Sequence, residues 1–323
     1  MRIKAIRIHQ TGGPDALQYE DVDLPEPGAG EVRVRHRAIG LNFIDIYVRE
    51  GLYPAKLPVV LGMEAAGLVE AVGPGVTNLS EGARVAYAQQ PGAYAEAANI
   101  PAARLIVLPD AISYEVAAAI MLKGMTAEYL LRRTYRVERG QTILVHAAAG
   151  GVGLLLCQWA EHLGARVIGT VSTPRKAELA RANGCAHVLI DGTDDIEKEV
   201  SRLTQGKGLP VVYDSVGQAT LALSFACLSA RGMLVSYGNS SGAIASIDMR
   251  QISARSNYIT RPSLRDYIAT REELEVSAGA LFDVVTKGVV KISINQRYAL
   301  AEAARAQRDL AARRTTGASI LIP

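Results

Sequence analysis

A run of small residues in the middle of the chain has the spacing of a phosphate-binding turn. The apolar stretch Thr142–His146 leads into AAAGGVG at residues 147–153, and an amphipathic pattern predicts a helix at 151–163. A tight turn between a strand and a helix directs backbone N–H groups and the positive end of the helix dipole towards an anion. The spacing is AxxGxxG rather than GxGxxG, so the turn alone is weak evidence. At the first strand of an alternating pattern, however, it predicts that a dinucleotide pyrophosphate binds at this turn, which contains Gly150 and Gly153.

The residues after the next strand indicate the type of cofactor. An acidic residue about 20 positions beyond the glycines holds the ribose 2′-hydroxyl of NAD, whereas a cation accommodates the 2′-phosphate of NADP. Here the strand ending at Val171 is followed by STPRK, which contains no acidic residue. Arg175 and Lys176 could simply decorate an exposed helix start, but cations are unfavourable there unless an anion compensates them. We therefore predict NADPH, with its 2′-phosphate near Arg175 and Lys176.

Histidine and cysteine do not have the spacing of metal ligands. The five histidines are scattered, and Cys157, Cys185 and Cys227 are 28 and 42 residues apart. This spacing matches neither a disulfide framework nor a CxxC metal pair. We expect no metal site, and we assign no side chain a catalytic role. His146, which ends the first strand before the phosphate turn, is expected to bond to backbone or turn groups.

The elements that must position these residues follow from the hydrophobic pattern. Short β-runs at 3–8, 31–39, 65–72, 84–87 and 104–108, separated by glycine and proline, predict a β-rich domain over the first 110 residues or so. Between Pro109 and Pro262, strands alternate with helical segments, which predicts right-handed crossovers and a parallel sheet. Beyond Pro262, helices at 271–287 and 300–312 and β-runs at 289–294 and 318–322 predict a return to the first domain. The fold class is therefore α/β, with a doubly wound parallel sheet and a second, β-rich domain.

Composition excludes several classes of protein. The 323 residues are 49% apolar, and 35 Lys and Arg against 32 Asp and Glu leave a net charge of +3. Because the charges are mixed along the chain and only 5% of residues are aromatic, we expect no nucleic-acid partner. No apolar stretch approaches the roughly 20 residues that cross a bilayer, and the N-terminus lacks the pattern of a secretory leader. The expectation is a cytoplasmic protein with no membrane partner.

Longer motifs indicate a family. Six of them occur along the chain in this order: AIGLNFIDIYVREGLYP, HAAAGGVG, YDSVG, SYGNSSG, TRPSLRDY and ASILIP. Together they resemble the quinone oxidoreductases of the zinc-lacking branch of the medium-chain dehydrogenase/reductase superfamily, which includes bacterial NADPH:quinone reductases and, more distantly, zeta-crystallin. The resemblance implies a GroES-like domain at residues 1–122 and 262–323, a Rossmann domain at residues 123–261, and a cofactor in the cleft.

The resemblance also implies which residues surround the ligands. It places NFIDIY near the nicotinamide, and it places Asn42, Tyr47 and Tyr53 near the quinone. Asn42 and Asp45 could instead cap a local turn, since both side chains readily bond nearby backbone, and the two tyrosines could be ordinary rim residues. The cofactor residues that the family implies are Asn42, Phe43, Ile44, Asp45, Ile46, Tyr47, Thr126, Tyr129, Gly151, Val152, Ser172, Thr173, Pro174, Arg175, Lys176, Val216, Gly238, Asn239, Ser240, Ser241, Ser263, Leu264, Arg265 and Arg313.

Two departures from relatives bear on the chemistry. Zinc-dependent relatives have a Cys near Leu41-Asn42 and a His within a GHE motif, whereas this chain has Asn42 and Gly62-Met63-Glu64 and no cysteine cluster. Both zinc sites are therefore expected to be absent. Many relatives have a Tyr near the adenine where this chain has Asp191, so we expect the packing of the adenine to differ.

The activity that the resemblance implies is NADPH-dependent reduction of quinones by hydride transfer in a homodimer. Without a Lewis acid, alcohol oxidation loses its usual mechanism, whereas hydride transfer to an electrophilic quinone needs mainly orientation. Reduction of α,β-unsaturated carbonyls uses the same geometry and is an alternative. A further alternative comes from zeta-crystallin relatives that bind RNA. The dimer is expected to form through residues 256–260, which we predict to be an edge strand that pairs across a two-fold axis.

Overall fold

The computed structural model describes all residues, 1–323, and the chain divides into two units. The first unit comprises Met1–Met125, Ile268–Thr286 and Ile292–Pro323, and the second comprises Thr126–Tyr267 and Lys287–Lys291. The domain boundaries expected after residues 122 and 261 precede these divisions by three and six residues. No helix is both long and apolar enough to cross a bilayer.

Strands dominate the first unit. Its elements before residue 126 are β1 (Arg2–Ile8), β2 (Gln18–Asp23), β3 (Glu31–Gly40), α1 (Phe43–Glu50), β4 (Val59–Val60), β5 (Glu64–Val72), β6 (Arg84–Ala88), β7 (Ala97–Pro101), β8 (Ile106–Val107) and most of α2 (Tyr114–Tyr129), whose last four residues are counted with the second unit. The elements of the second unit are β9 (Thr142–Val145), α3 (Gly151–His162), β10 (Arg166–Val171), α4 (Pro174–Arg181), β11 (Cys185–Ile190), α5 (Ile196–Leu203), β12 (Leu209–Asp214), α6 (Leu221–Cys227), β13 (Leu228–Ser236), α7 (Met249–Ser253), β14 (Tyr258–Thr260) and α8 (Leu264–Tyr267). The chain then adds α9 (Arg271–Thr286), β15 (Ile294–Ala299), α10 (Ala303–Ala311) and β16 (Ala318–Ile322) to the first unit.

Two sheets form the first unit. The smaller has the order β2-β1-β4, and the larger has the order β15-β16-β3-β5-β6-β8, with β7 also paired to β3. Strand β16 is antiparallel to β3, with Ile320 opposite Gly40. Tyr298 and Leu321 belong to the same buried core as Ile6 and Val34. The C-terminal segment therefore completes the sheet and the core that the N-terminal segment begins.

The second unit contains the predicted parallel sheet. Its six strands have the order β11-β10-β9-β12-β13-β14, and every pairing is parallel. The central strands are apolar on both faces, as in TILV of β9, because helices cover both faces of such a sheet. The strand order reverses between β9 and β12, so their carboxyl ends flank the crevice where ligands bind in doubly wound folds. The fold class predicted from the sequence is confirmed.

Some strand predictions are wrong in detail. The β-run expected at 289–294 is not a strand; β15 begins only at Ile294, and Lys291 instead exchanges two backbone hydrogen bonds with the Gln158 amide. The strand expected at 104–108 is limited to Ile106–Val107, because Ala102–Arg104 forms a 3-10 turn. The sequence analysis missed β2, β4 and β7. The first of these, QYEDVD, is exposed or partly exposed at every residue, so its apolar pattern is weak.

Candidate active site

The predicted phosphate turn lies between β9 and α3. Gly150 is the N-cap of α3, and its N–H donates to the Ala147 carbonyl oxygen at 2.9 Å. Ala147 has a φ of 52°, in the left-handed region that favours glycine. A Cβ on Gly153 would collide with the Ala147 carbonyl oxygen, so glycine is required there. The turn is therefore narrow, and the first N–H groups of α3, which have no acceptor within the helix, are placed to bind an anion.

A buried polar network fixes the ends of β9, β10 and β12. The His146 ring has Nδ1 at 2.9 Å from Thr170 Oγ1 and Nε2 at 3.1 Å from Ser224 Oγ. Ser224 in turn donates to Asp214 Oδ2 at 2.8 Å. Burial lowers the pKa of His146, which favours the neutral ring. The expectation that His146 bonds to backbone or turn groups is wrong, because both ring nitrogens face side-chain hydroxyls.

Asp214 also shapes the loop that follows β12. Its Oδ1 accepts the N–H groups of Val216 at 2.7 Å and Gly217 at 3.0 Å, and its Oδ2 accepts the Thr220 hydroxyl at 2.7 Å. A carboxylate with this many donors tolerates full burial. The sequence analysis did not identify Asp214 as a site residue, although the YDSVG motif contains it.

The loops after β12 and β13 are bonded to each other. Ser241 Oγ donates to the Val216 carbonyl oxygen at 2.8 Å, and a Cβ on Gly238 would collide with Ser215. Arg261, which follows β14, donates from Nη1 to the Gly238 carbonyl oxygen at 2.9 Å. The structure thus brings together one group of predicted residues, namely Val216, Gly238, Asn239, Ser240 and Ser241. Arg261 holds this group and was missed, although it lies within TRPSLRDY.

The predicted 2′-phosphate residues lie where β10 leads into α4. Thr173 is the N-cap of α4, and its side chain accepts the Lys176 N–H at 3.3 Å. Lys176 Nζ lies 3.4 Å from Ser172 Oγ. Two cations, Arg175 and Lys176, therefore occupy a helical turn that contains no acidic residue. The helix dipole disfavours positive charge at this end, and an anionic ligand would remove that cost.

Two tyrosines stack in the second unit. The rings of Tyr129 and Tyr267 are 4.3 Å apart between centroids and 12° from parallel, and Arg133 lies over the Tyr267 ring. Burial raises the pKa of Tyr129, so its hydroxyl stays protonated at neutral pH. Thr126, one turn earlier in α2, is also buried. Of the predicted segment Ser263, Leu264 and Arg265, the side chain of Leu264 is buried, while Arg265 bonds to Asp266 at the surface.

In the first unit, the predicted nicotinamide segment forms the start of α1. Asn42 is the N-cap, and its backbone N–H donates to Asp45 Oδ2 at 2.9 Å, which confirms the capping role considered for Asp45. The Tyr94 hydroxyl donates to the same Oδ2 at 2.8 Å. The Asn42 side chain instead donates from Nδ2 to Glu64 Oε2 at 2.9 Å, and Lys123 Nζ lies 3.4 Å from that oxygen. Glu64 and Lys123 were not predicted as site residues.

Aromatic rings line the same helix. The centroids of Phe43 and Tyr47 are 6.1 Å apart, and Tyr53 meets Tyr47 edge-on at 5.5 Å. Of the other predicted residues of the first unit, Ile46 is buried in the core and Ile44 is partly exposed. Arg313 lies in an exposed turn after α10 with a φ of 58°.

Comparison with known proteins identifies the family. Residues 28–137 match the family model described as the alcohol dehydrogenase GroES-like domain, and residues 151–278 match the zinc-binding dehydrogenase model. A quinone oxidoreductase of Pseudomonas aeruginosa is 53% identical over 99% of both chains, and a 2-haloacrylate reductase of a Burkholderia species is 44% identical over 99% of both. The crystal structure of Escherichia coli quinone oxidoreductase complexed with NADPH has a TM-score of 0.97 at 47% identity, covering 99% of this chain and 100% of that chain. The chain therefore belongs to the quinone oxidoreductases of the medium-chain dehydrogenase/reductase superfamily.

The buried Asp45 carboxyl predicts a specific dependence of stability on pH. Burial raises its pKa to about 7 despite hydrogen bonds from Asn42 and Tyr94. Because the unfolded chain releases this proton near pH 4, the native state loses stability as pH rises from about 4 to about 7. The variant Asp45→Asn has no carboxyl at this position, so its stability lacks this dependence on pH. We therefore expect its free energy of unfolding, relative to the parent, to increase by roughly 3 to 4 kcal/mol over that range.

Urea unfolding of the parent and Asp45→Asn at about pH 4.5 and pH 8 measures this difference. Glu20→Gln is a control that removes an accessible carboxylate, whose pKa is lowered rather than raised. A difference between Asp45→Asn and the parent that stays constant with pH would contradict the raised pKa.

Proposed function

We propose that the chain reduces quinones by hydride transfer from NADPH. The cation pair in the first turn of α4 carries the proposal, because a 2′-phosphate would neutralise positive charge that the helix dipole disfavours. The narrow turn before α3 supports it, since the pyrophosphate must approach backbone N–H groups closely. The residues present therefore fit NADPH. The full-length similarity to quinone oxidoreductases supports the acceptor.

Each unit contributes a separate part of the chemistry. NADPH supplies a hydride, and a quinone that takes up that hydride and a proton from solvent becomes a hydroquinone. The second unit holds the pyrophosphate at Gly150–Gly153 and the 2′-phosphate at Lys176. In the first unit, Tyr53 is partly exposed and packs edge-on against the buried Tyr47, so its ring is the one that would contact a flat acceptor. Asn42, at the N-terminus of α1, provides a fixed amide.

The reaction is proposed to proceed without zinc. Asn42 uses its amide in a hydrogen bond to Glu64, and Met63 packs against the core of the first unit. Neither residue has the imidazole or thiolate that zinc prefers. Hydride transfer to a quinone needs orientation rather than a Lewis acid, because the acceptor is already electrophilic.

Reduction of an α,β-unsaturated carbonyl is the second candidate. The similarity to a 2-haloacrylate reductase favours it, because a haloacrylate has a carbon–carbon double bond conjugated to a carboxylate. Turnover of a naphthoquinone and of a simple enone, compared at equal NADPH, separates the two acceptor classes.

A homodimer in the cytoplasm completes the proposal. Strand β14 ends the six-stranded sheet and has one side without a partner strand, and its Tyr258 is 58% exposed. Edge strands of this kind favour pairing with a second copy. All three cysteines are free thiols, which supports a reducing compartment.

Replacing Lys176 tests the cofactor. We expect Lys176→Ala to weaken NADPH binding by roughly 1.5 to 3 kcal/mol, the range for a hydrogen bond to a charged group, and to leave NADH binding nearly unchanged. Fluorescence titration with both cofactors measures the difference. Lys198→Ala, on the helix after the next strand, is the matched control and should change neither affinity. Equal losses for NADPH and NADH in Lys176→Ala would show that the cation does not bind the 2′-phosphate.

Removing metal tests the zinc-free mechanism. Dialysis against a chelator is expected to leave quinone reduction and the unfolding temperature intact, because no metal–ligand bond contributes to folding or chemistry. Elemental analysis before and after dialysis provides the check. Stoichiometric zinc that is lost together with activity would refute the proposal.

The edge strand predicts the assembly. Light scattering should give a mass near twice 34.4 kDa. Tyr258→Lys places a charge on β14 and should lower this mass at micromolar concentration. Val276→Lys, at an equally exposed position on α9, is the matched control. A parent mass of 34.4 kDa that does not change with concentration would contradict the dimer.

A further inference from the structure

Glu64 is a fully buried carboxylate that accepts three donors in the first unit. Its Oε1 accepts the Leu122 N–H at 2.6 Å, and its Oε2 lies 2.9 Å from Asn42 Nδ2 and 3.4 Å from Lys123 Nζ. The relative exposure of Glu64 is 0% and that of Lys123 is 6%. An ion pair at this depth gains little stability, because removing both charges from water offsets their attraction.

The space around Glu64 leaves the carboxylate no freedom to move. A Cβ on Gly40, at the end of β3, would collide with both the Glu64 carboxylate and the Ala118 carbonyl oxygen. The backbone of β3 therefore approaches the acid closely from one side, and α2 supplies donors from the other. The position of Oε2 is fixed, and so is the group bonded to it.

Asn42 lies beside both charges, because its side chain donates to the same Glu64 oxygen that Lys123 contacts. Its backbone N–H donates to Asp45 Oδ2 in a capping box at the start of α1. The ion pair of Glu64 and Lys123 contacts Asn42 elsewhere, at the side-chain amide. Since a carboxylate accepts but does not donate, Nδ2 must face Glu64. Asn42 then presents its carbonyl oxygen Oδ1 and its second N–H in one orientation.

We infer that Glu64 and Lys123 are positioning residues that hold the Asn42 amide in the orientation required for hydride transfer. This inference rests on the proposed function, and it assigns the ion pair to the transfer step rather than to NADPH affinity. Transfer between two rings depends strongly on their alignment, and a displacement of about 1 Å lowers such rates by about 100-fold. An amide free to rotate would hold the reacting groups less well.

Two double variants isolate the hydrogen bond from the charges. E64Q/K123M and E64L/K123M both remove the ion pair, but only the glutamine keeps one side-chain oxygen, which replaces the acceptor of Asn42 Nδ2 or that of the Leu122 N–H but not both. We expect E64L/K123M to lower the single-turnover rate of hydride transfer to a naphthoquinone by about 10- to 100-fold, with the NADPH dissociation constant changed less than about threefold. E64Q/K123M, which keeps one acceptor oxygen, should recover part of the lost rate. E115Q/R297M, which removes an exposed ion pair of the same unit, is the control.

Asn42→Ala completes a double-mutant cycle. If Glu64 acts through Asn42, adding E64L/K123M to Asn42→Ala should cause little further loss, because the side chain that the pair positions is already gone. Losses that multiply in the triple variant would overturn the inference. So would rates equal to the parent in folded E64L/K123M, or a loss confined to NADPH affinity.

A readout independent of turnover is hydrogen exchange at the Asn42 side-chain amide. In protein labelled with ¹⁵N-asparagine, the Asn42 signal is the one lost in Asn42→Ala. Its exchange should be slow in the parent, fast in E64L/K123M, and intermediate in E64Q/K123M. If E64L/K123M does not fold, E64D shortens the acid by one methylene while keeping its charge, and it should accelerate exchange and slow transfer. Slow exchange in every folded variant would refute the positioning role.

Failure of the inference is distinguishable from failure of the proposed function. A parent that reduces an enone but no quinone would refute the proposed acceptor, while the same variant series measured with the enone still tests the Asn42 amide. A parent that reduces quinones, with variants that neither slow transfer nor release the amide, would refute the inference alone.

Discussion

The second unit depends on how closely main-chain segments approach one another at the carboxyl edge of its parallel sheet. At two places, Gly153 against Ala147 and Gly238 against Ser215, a single added carbon would collide with backbone. Phosphate binding by N–H groups requires hydrogen-bond distances of about 2.9 Å, so any side chain that pushed α3 away from β9 would remove the site. The glycines therefore serve close packing at these two places, and the left-handed conformation falls on Ala147 instead.

Each unit also buries a carboxylate that organises loops or side chains around it. Asp214 accepts two backbone N–H groups and two hydroxyls, and Glu64 accepts a backbone N–H, an amide and an ammonium. Apolar residues of similar volume would fill the same space at less cost in desolvation. The carboxylates instead orient the groups around them, because each hydrogen bond fixes the direction of its donor. The buried polar groups are therefore found beside the predicted ligand residues.

Local patterns account for the parts of the molecule that could be predicted from the sequence. The helix expected at 151–163, the alternating strands, and the adjacent cations Arg175 and Lys176 are all contiguous in the chain, so their spacing can be analysed without the fold. Glu64 and Lys123 are 59 residues apart, and no periodicity relates them. The prediction of a strand at 289–294 was wrong for the same reason: Lys291 bonds to Gln158, which is 133 residues away and cannot be inferred from local spacing. Arg261 has no local signature either, since its partner Gly238 lies 23 residues earlier.

The two groups of cations show how the setting of a charge indicates its role. Arg175 and Lys176 lie at an accessible helix start whose first turn contains no acid, and the helix dipole disfavours positive charge there. Such a place favours an anionic ligand. Lys123 is buried, and its counter-charge is the internal carboxylate of Glu64. A ligand cannot neutralise it further, so its effect must pass through the neighbour that shares the carboxylate. In this chain that neighbour is Asn42. Burial therefore separates the two roles: the accessible cations are placed to bind an anionic ligand, whereas the buried cation positions a neighbouring side chain.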